Sequence, residues 1–113
     1  VKKPQRVQLR RAKGWRMPPN TVKVDRSTPL GNPFKVGEDG TAARCVELYT
    51  IMLGGLRVLT TKATPKDQDA AVAAVRKRLP HLRGKNLACW CRIGQPCHAD
   101  VLLGLANGKE RAP

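Results

Sequence analysis

The stretch Asn86-Leu-Ala-Cys-Trp-Cys-Arg-Ile-Gly-Gln-Pro-Cys-His-Ala-Asp-Val-Leu-Leu-Gly-Leu-Ala-Asn107 decides the fold. Its first part, 86–90, is an apolar run too short for a helix before the turn formers Gly94 and Pro96, so it reads as a buried strand. From His98 to Asn107 the apolar residues fall at helical spacing, with Val101, Leu102 and Leu105 on the inward face. A buried strand followed closely by a helix is the signature of an α/β layer.

Upstream, the same alternation of elements holds. Thr64 reads as an N-cap, Pro65 as the first helical residue and Asp67 as the reciprocal capping partner. The stripe Val72, Val75, Leu79 follows, with Pro80 expected to end the helix. Another helix opens at Thr41, carries Ala42, Val46, Tyr49 or Leu48, and Met52-Leu53 at helical spacing, and stops at Gly54-Gly55. Near the start, 6–10 and 21–25 alternate apolar and polar residues and read as short strands. The expectation is a single compact α/β domain over 6–107, a small sheet with about three helices packed on it, flanked by flexible ends at 1–5 and 108–113.

Composition narrows the function. The chain has 113 residues with 22 Lys and Arg against 8 acids, a formal net charge of +14. Residues 1–35 hold 10 of the basic residues and a single acid, Asp25. Such a charge draws a protein toward polyanions, so a nucleotide or nucleic acid is the expected partner. No apolar run approaches the roughly 20 residues of a membrane span, and no charged-then-apolar leader is visible, which predicts a cytoplasmic protein without membrane contact. Collagen, coiled-coil, repeat-array and wholly disordered classes are excluded by the residue usage.

Three of the four cysteines crowd together as Cys89, Cys91 and Cys97, while Cys45 stands alone on the Thr41 helix. That spacing argues for free thiols or a metal rather than a secreted disulfide framework. On a strand, Cys89 and Cys91 share a face. With Cys97 and His98 they make a sulfur and imidazole set suited to zinc, although C-x-C-x5-C-H is not a standard zinc spacing. The same residues support other readings. The amino end of the His98 helix favours an anion and lowers a thiol pKa, which makes Cys97 a candidate nucleophile with His98 beside it as proton acceptor. Cys97 can equally serve as packing or cap. No metal-independent enzyme motif is present, so the residues assign no reaction.

Two more segments carry candidate contacts. Asp25-Arg-Ser-Thr-Pro-Leu-Gly-Asn-Pro-Phe34 leaves a strand, where α/β sheets form ligand clefts. Arg26 offers a planar fork for phosphate, Gly31 a tight turn, and Asn32 a bond to ligand or backbone; Phe34 is a candidate core plug. The leading expectation is a cleft of Arg26, Asn32, Cys89, Cys97 and His98 that binds a phosphate-bearing ligand. The loop containing Arg10, Arg11, Lys13, Trp15 and Arg16 interleaves charge with an aromatic, as a nucleic-acid contact requires. The alternative expectation is therefore a non-enzymatic module that binds nucleic acid or a host protein through this loop, with zinc as a stabiliser. His81 reads as a surface residue.

Taken together, Arg-Val-Gln-Leu-Arg-Arg, Gly-Trp-Arg-Met-Pro-Pro-Asn-Thr, Leu-Gly-Asn-Pro-Phe and Leu-Ala-Cys-Trp-Cys…Pro-Cys-His-Ala-Asp-Val-Leu resemble the family called domain of unknown function 4326, over about residues 6–107. The resemblance implies an actinobacterial or bacteriophage protein working in the host cytoplasm, and it brings no established activity. Arg92 departs from the pattern, which has proline after Cys-Trp-Cys. A weaker likeness to domain of unknown function 488, through the strand ending in Cys and the later Cys-His, implies a strand–loop–helix pocket around Cys89, Cys97 and His98.

Overall fold

In the computed structural model, which describes residues 4–60 and 63–107, the segment 86–107 forms a strand, a loop and a helix as its sequence implies. In chain order the elements are β1 (Arg6–Gln8), β2 (Thr21–Lys23), α1 (Ala42–Leu53), α2 (Pro65–Leu82), β3 (Asn86–Cys89) and α3 (His98–Asn107). The three strands form one parallel sheet in the order β1-β3-β2, with Val7 opposite Ala88 and Val22 opposite Leu87. β3 is the centre, and Leu87, Ala88 and Cys89 are buried. That is why it lacks polar alternation while β1 and β2, at the edges, keep it.

Parallel pairing continues one step past the regular strands. Leu9 N–H donates to the Cys89 carbonyl at 2.8 Å, and Val24 N–H donates to the Ala88 carbonyl at 2.9 Å. Asn20, in the left-handed region at φ 57°, turns the chain into β2, and its side chain donates to the Gly84 carbonyl at 2.8 Å. Asn tolerates that conformation better than most residues.

The helix starts follow the local signals. Thr41 Oγ1 accepts from Arg44 N–H, and Thr64 and Asp67 make the full capping box. Pro80 does not end α2, which runs on to Leu82. A proline this close to the end removes one hydrogen bond, to the Arg76 carbonyl, and the final turn still carries Leu82 into the core at 2% exposure. Val75 of the expected stripe is buried and Val72 and Leu79 are half-buried, with Ala71 and Gln68 completing the inward face. On α3 the fully buried residues are Ala99 and Leu102; Val101, Leu103 and Ala106 pack beside them, and Leu105 is half-buried.

α3 packs on β3 and β1 and touches both other helices, so its first turn stands over the carboxyl end of the sheet. Tyr49, Phe34, Leu30, Met52 and Leu87 fill the core. Of the ends expected to be loose, 1–3 and 108–113 lie outside the described residues. Gln5 extends the pairing of β1, its N–H donating to Asn86 Oδ1 at 2.9 Å and its carbonyl accepting from Leu87 N–H at 3.0 Å. No helix among the described residues is long and apolar enough to cross a membrane.

Candidate functional site

A cavity of about 290 Å³ opens beyond the carboxyl ends of β2 and β3, where parallel sheets place ligand sites. Arg26, Asn32, Cys89, Cys97 and His98 all line it, together with Asp25, Phe34, Cys45, Trp90 and Cys91. Two segments more than fifty residues apart in sequence thus meet at one wall.

The 25–34 loop is built on its own backbone. Thr28 N–H and Oγ1 both donate to the Asp25 carbonyl, at 3.0 and 2.8 Å. Gly31 lies where a Cβ would meet the Arg26 Cα at 2.6 Å and the Asp25 carbonyl oxygen at 2.8 Å, so only glycine lets the two limbs approach. Phe34 is wholly buried as a core plug. Asn32 is occupied by the backbone: Oδ1 accepts from Phe34 N–H at 2.9 Å and Nδ2 donates to the Cys45 carbonyl at 3.1 Å. It shapes the cleft and keeps one amide N–H beyond these bonds. Arg26 is exposed and donates once, to the Phe34 carbonyl at 3.2 Å, which leaves most of its fork to the cleft.

The second wall carries the sulfur atoms. Cys89 and Cys97 Sγ are 2.9 Å apart, and the Sγ atoms of Cys89, Cys91 and Cys97 all lie within 4.8 Å of one another, close enough to hold a metal ion. Cys91 is half-buried and its partners are buried. The neighbouring Cys89 and Cys97 thiols pull the Cys91 pKa below its ordinary value. The same sharing, together with burial, pushes Cys97 up. The three thiols share their protons as one group, with Cys97 at the amino end of α3 as sequence reasoning placed it.

His98 is buried and stands beside this group rather than in it. Its Nδ1 is 3.7 Å from Cys97 Sγ, and its Nε2 is 2.5 Å from the Val24 carbonyl. A carbonyl accepts only, so Nε2 carries the proton and Nδ1 presents a lone pair. Burial pushes the His98 pKa down, favouring the neutral ring. Tyr49 packs edge-on against it at 5.3 Å and donates its hydroxyl to the Leu30 carbonyl at 2.9 Å.

Three contributors were not legible as such. Arg6 clamps the 91–97 loop, donating to the Gln95 and Arg92 carbonyls at 2.7 and 2.8 Å and to Asp100 at 2.9 Å. Asp25 is buried, accepting from Ser27 Oγ at 2.6 Å and Trp90 Nε1 at 2.9 Å. Trp90 also carries the Arg11 guanidinium 4.9 Å from its ring centroid, which brings one residue of the basic loop to this wall. Asp25-x-Ser-Thr after a strand was the available signal for a side-chain-built turn. Arg10, Lys13 and Arg16 are exposed, Trp15 is half-buried, and none of the three cations has an ion-pair partner among the described residues. His81 is exposed, as expected.

Residues 7–108 match the family model described as Domain of unknown function (DUF4326). No curated protein and no solved structure matches the chain.

Proposed function

The chain belongs to the DUF4326 family, and we propose that this domain binds a phosphate-bearing small molecule, a nucleotide or a nucleic-acid end, in the cleft at the carboxyl edge of its sheet. The observation that carries the reading is the convergence of Arg26, Cys89, Cys97 and His98 on one cavity. Its walls are chiefly apolar, from Phe34, Val36, Ala42, Val46 and Pro96, with few polar groups, which suits a flat base better than a bare ion. Arg26 supplies a fork matched to phosphate. The positive charge of the chain raises the local concentration of such ligands.

Thermal melts across a nucleoside, nucleotide and inorganic phosphate series test this. Nucleotides should raise the Tm, nucleosides and phosphate less so, and Arg26→Ala should remove most of the shift. No stabilisation by any member would overturn the reading.

A second reading has its own observation. Arg10, Lys13 and Arg16 are exposed without ion pairs among the described residues, and Arg11 stacks on Trp90. Such a loop suits the backbone of a single strand. Neutralising Arg10, Arg11, Lys13 and Arg16 together should lower the salt dependence of DNA or RNA binding. An unchanged slope would remove the loop from consideration.

A further inference from the structure

We propose that Cys89, Cys91 and Cys97 hold one zinc-class ion whose fourth coordination position is not filled by His98 but faces the cleft and takes an exchangeable donor. In a tetrahedral zinc–thiolate site the bond length of about 2.3 Å sets sulfur–sulfur edges of about 3.8 Å. The Cys89 and Cys97 sulfurs are 2.9 Å apart and all three sulfur atoms lie within 4.8 Å of one another, so edges of that length are within reach. A modest opening of the close pair makes room for an ion without moving a strand.

Hydrogen bonds tie the supports of all three cysteines into the fold. Cys89 ends the central strand, and its carbonyl accepts from Leu9. Cys97 precedes α3 and its carbonyl accepts from Asp100 N–H at 3.1 Å. Arg6 and Gln8 hold the loop between them, Gln8 Oε1 accepting from Ile93 N–H at 3.3 Å. The sulfurs bind as thiolates, releasing their protons to solvent. Three thiolates around a divalent ion leave one negative charge, and the Arg6 guanidinium, 7% exposed, is held on the loop between Cys91 and Cys97 by its bonds to the Arg92 and Gln95 carbonyls.

The open position follows from the surroundings. Among the described residues only Cys89, Cys91 and Cys97 have ligand atoms that all lie within 4.8 Å of one another, and neither ring nitrogen of His98 belongs to that group. All three cysteines line the cleft, so a fourth donor arrives from that side. Three protein ligands with one exchangeable position is the arrangement of reactive rather than purely structural zinc sites. A thiolate-rich ion favours water, imidazole or a thiol there.

The experiment loads metal-free protein with cobalt(II) under reducing conditions and follows thiolate charge-transfer and d–d bands, first alone and then with added imidazole. One equivalent should saturate the tetrahedral spectrum, and imidazole should shift the d–d bands while the thiolate bands persist. His98→Gln should retain the spectrum and the imidazole response. Cys91→Ser, at the half-buried position, should weaken metal binding by more than the roughly 10–100-fold that losing an outer hydrogen bond to a ligand costs. Cys45→Ser should leave it unchanged. Failure to bind one equivalent, or a spectrum that ignores imidazole and collapses in His98→Gln, would overturn the proposal. Neither outcome depends on nucleotide, so the phosphate reading stands or falls separately.

Discussion

The indole Nε1 of Trp90 donates to the Asp25 carboxylate at 2.9 Å, joining the residue that leaves β3 to the residue that leaves β2 across 65 positions of sequence. Ser27 holds the other carboxylate oxygen at 2.6 Å. The pair ties the two walls of the cleft together, and the carboxylate faces the cavity already satisfied. Several measurable consequences follow from this and neighbouring contacts.

Burial pushes the Asp25 pKa up, but the bonds from Ser27 and Trp90, with the charge of Lys23, outweigh it and hold the group below its ordinary value. A depressed carboxyl stabilises the fold above its unfolded pKa of about 3.9, and that stabilisation is lost as pH falls through the lower folded value. Denaturant melts of the protein and of Asp25→Asn should therefore converge on acidification below about pH 4. A constant gap between them down to acid pH would contradict the assignment.

Gly31→Ala places a methyl against two backbone atoms that cannot move independently. The loop must shift, at a cost of about 1–3 kcal/mol. Chemical denaturation would read the loss. An unchanged midpoint would mean that the approach of Gly31 to Arg26 is looser than described.

Arg6→Met removes three hydrogen bonds to the 92–100 segment at once. We expect a loss of about 2–3 kcal/mol and faster amide exchange at Ile93. Asp100→Asn should cost under about 1 kcal/mol, because that carboxylate is 58% exposed and the two carbonyl contacts survive. Equal costs for the two variants would show that the ion pair, rather than the carbonyl clamp, holds the loop.

Tyr49→Phe leaves the Leu30 carbonyl without its hydroxyl partner in the core. The expected cost is about 1–2 kcal/mol by thermal or urea melts, with the ring packing on His98 retained. A neutral effect would mean that the carbonyl finds another donor.

Local chemistry made the helices legible. The Thr64, Pro65, Asp67 set and the Thr41 cap act within one turn, so their residues specify helix starts without help from the rest of the chain. Pro80 was misleading because the final turn of α2 is stabilised by burial of Leu82, a distant effect that outweighs one lost bond. The cleft residues Arg26, Cys89, Cys97 and His98 were recognisable from residue type and from their places after strands and at a helix start. Arg6 and Trp90 were not, because their roles depend on partners up to 94 residues away.

By itself the sequence determined the α/β class, the starts of the helices, the buried central strand and the crowding of three thiols, since each follows from periodicity, capping or spacing within a few residues. Only the tertiary structure decided the β1-β3-β2 order, the meeting of the Asp25 loop with the cysteine loop, the gathering of the three sulfur atoms within 4.8 Å, and the anchoring of His98 to Val24. The physical reason is common to all four. Strand pairing, thiol proton sharing and the bond that fixes an imidazole tautomer depend on which groups the folded core brings within a few ångströms. That proximity comes from burial of the whole chain, and a local window does not contain it.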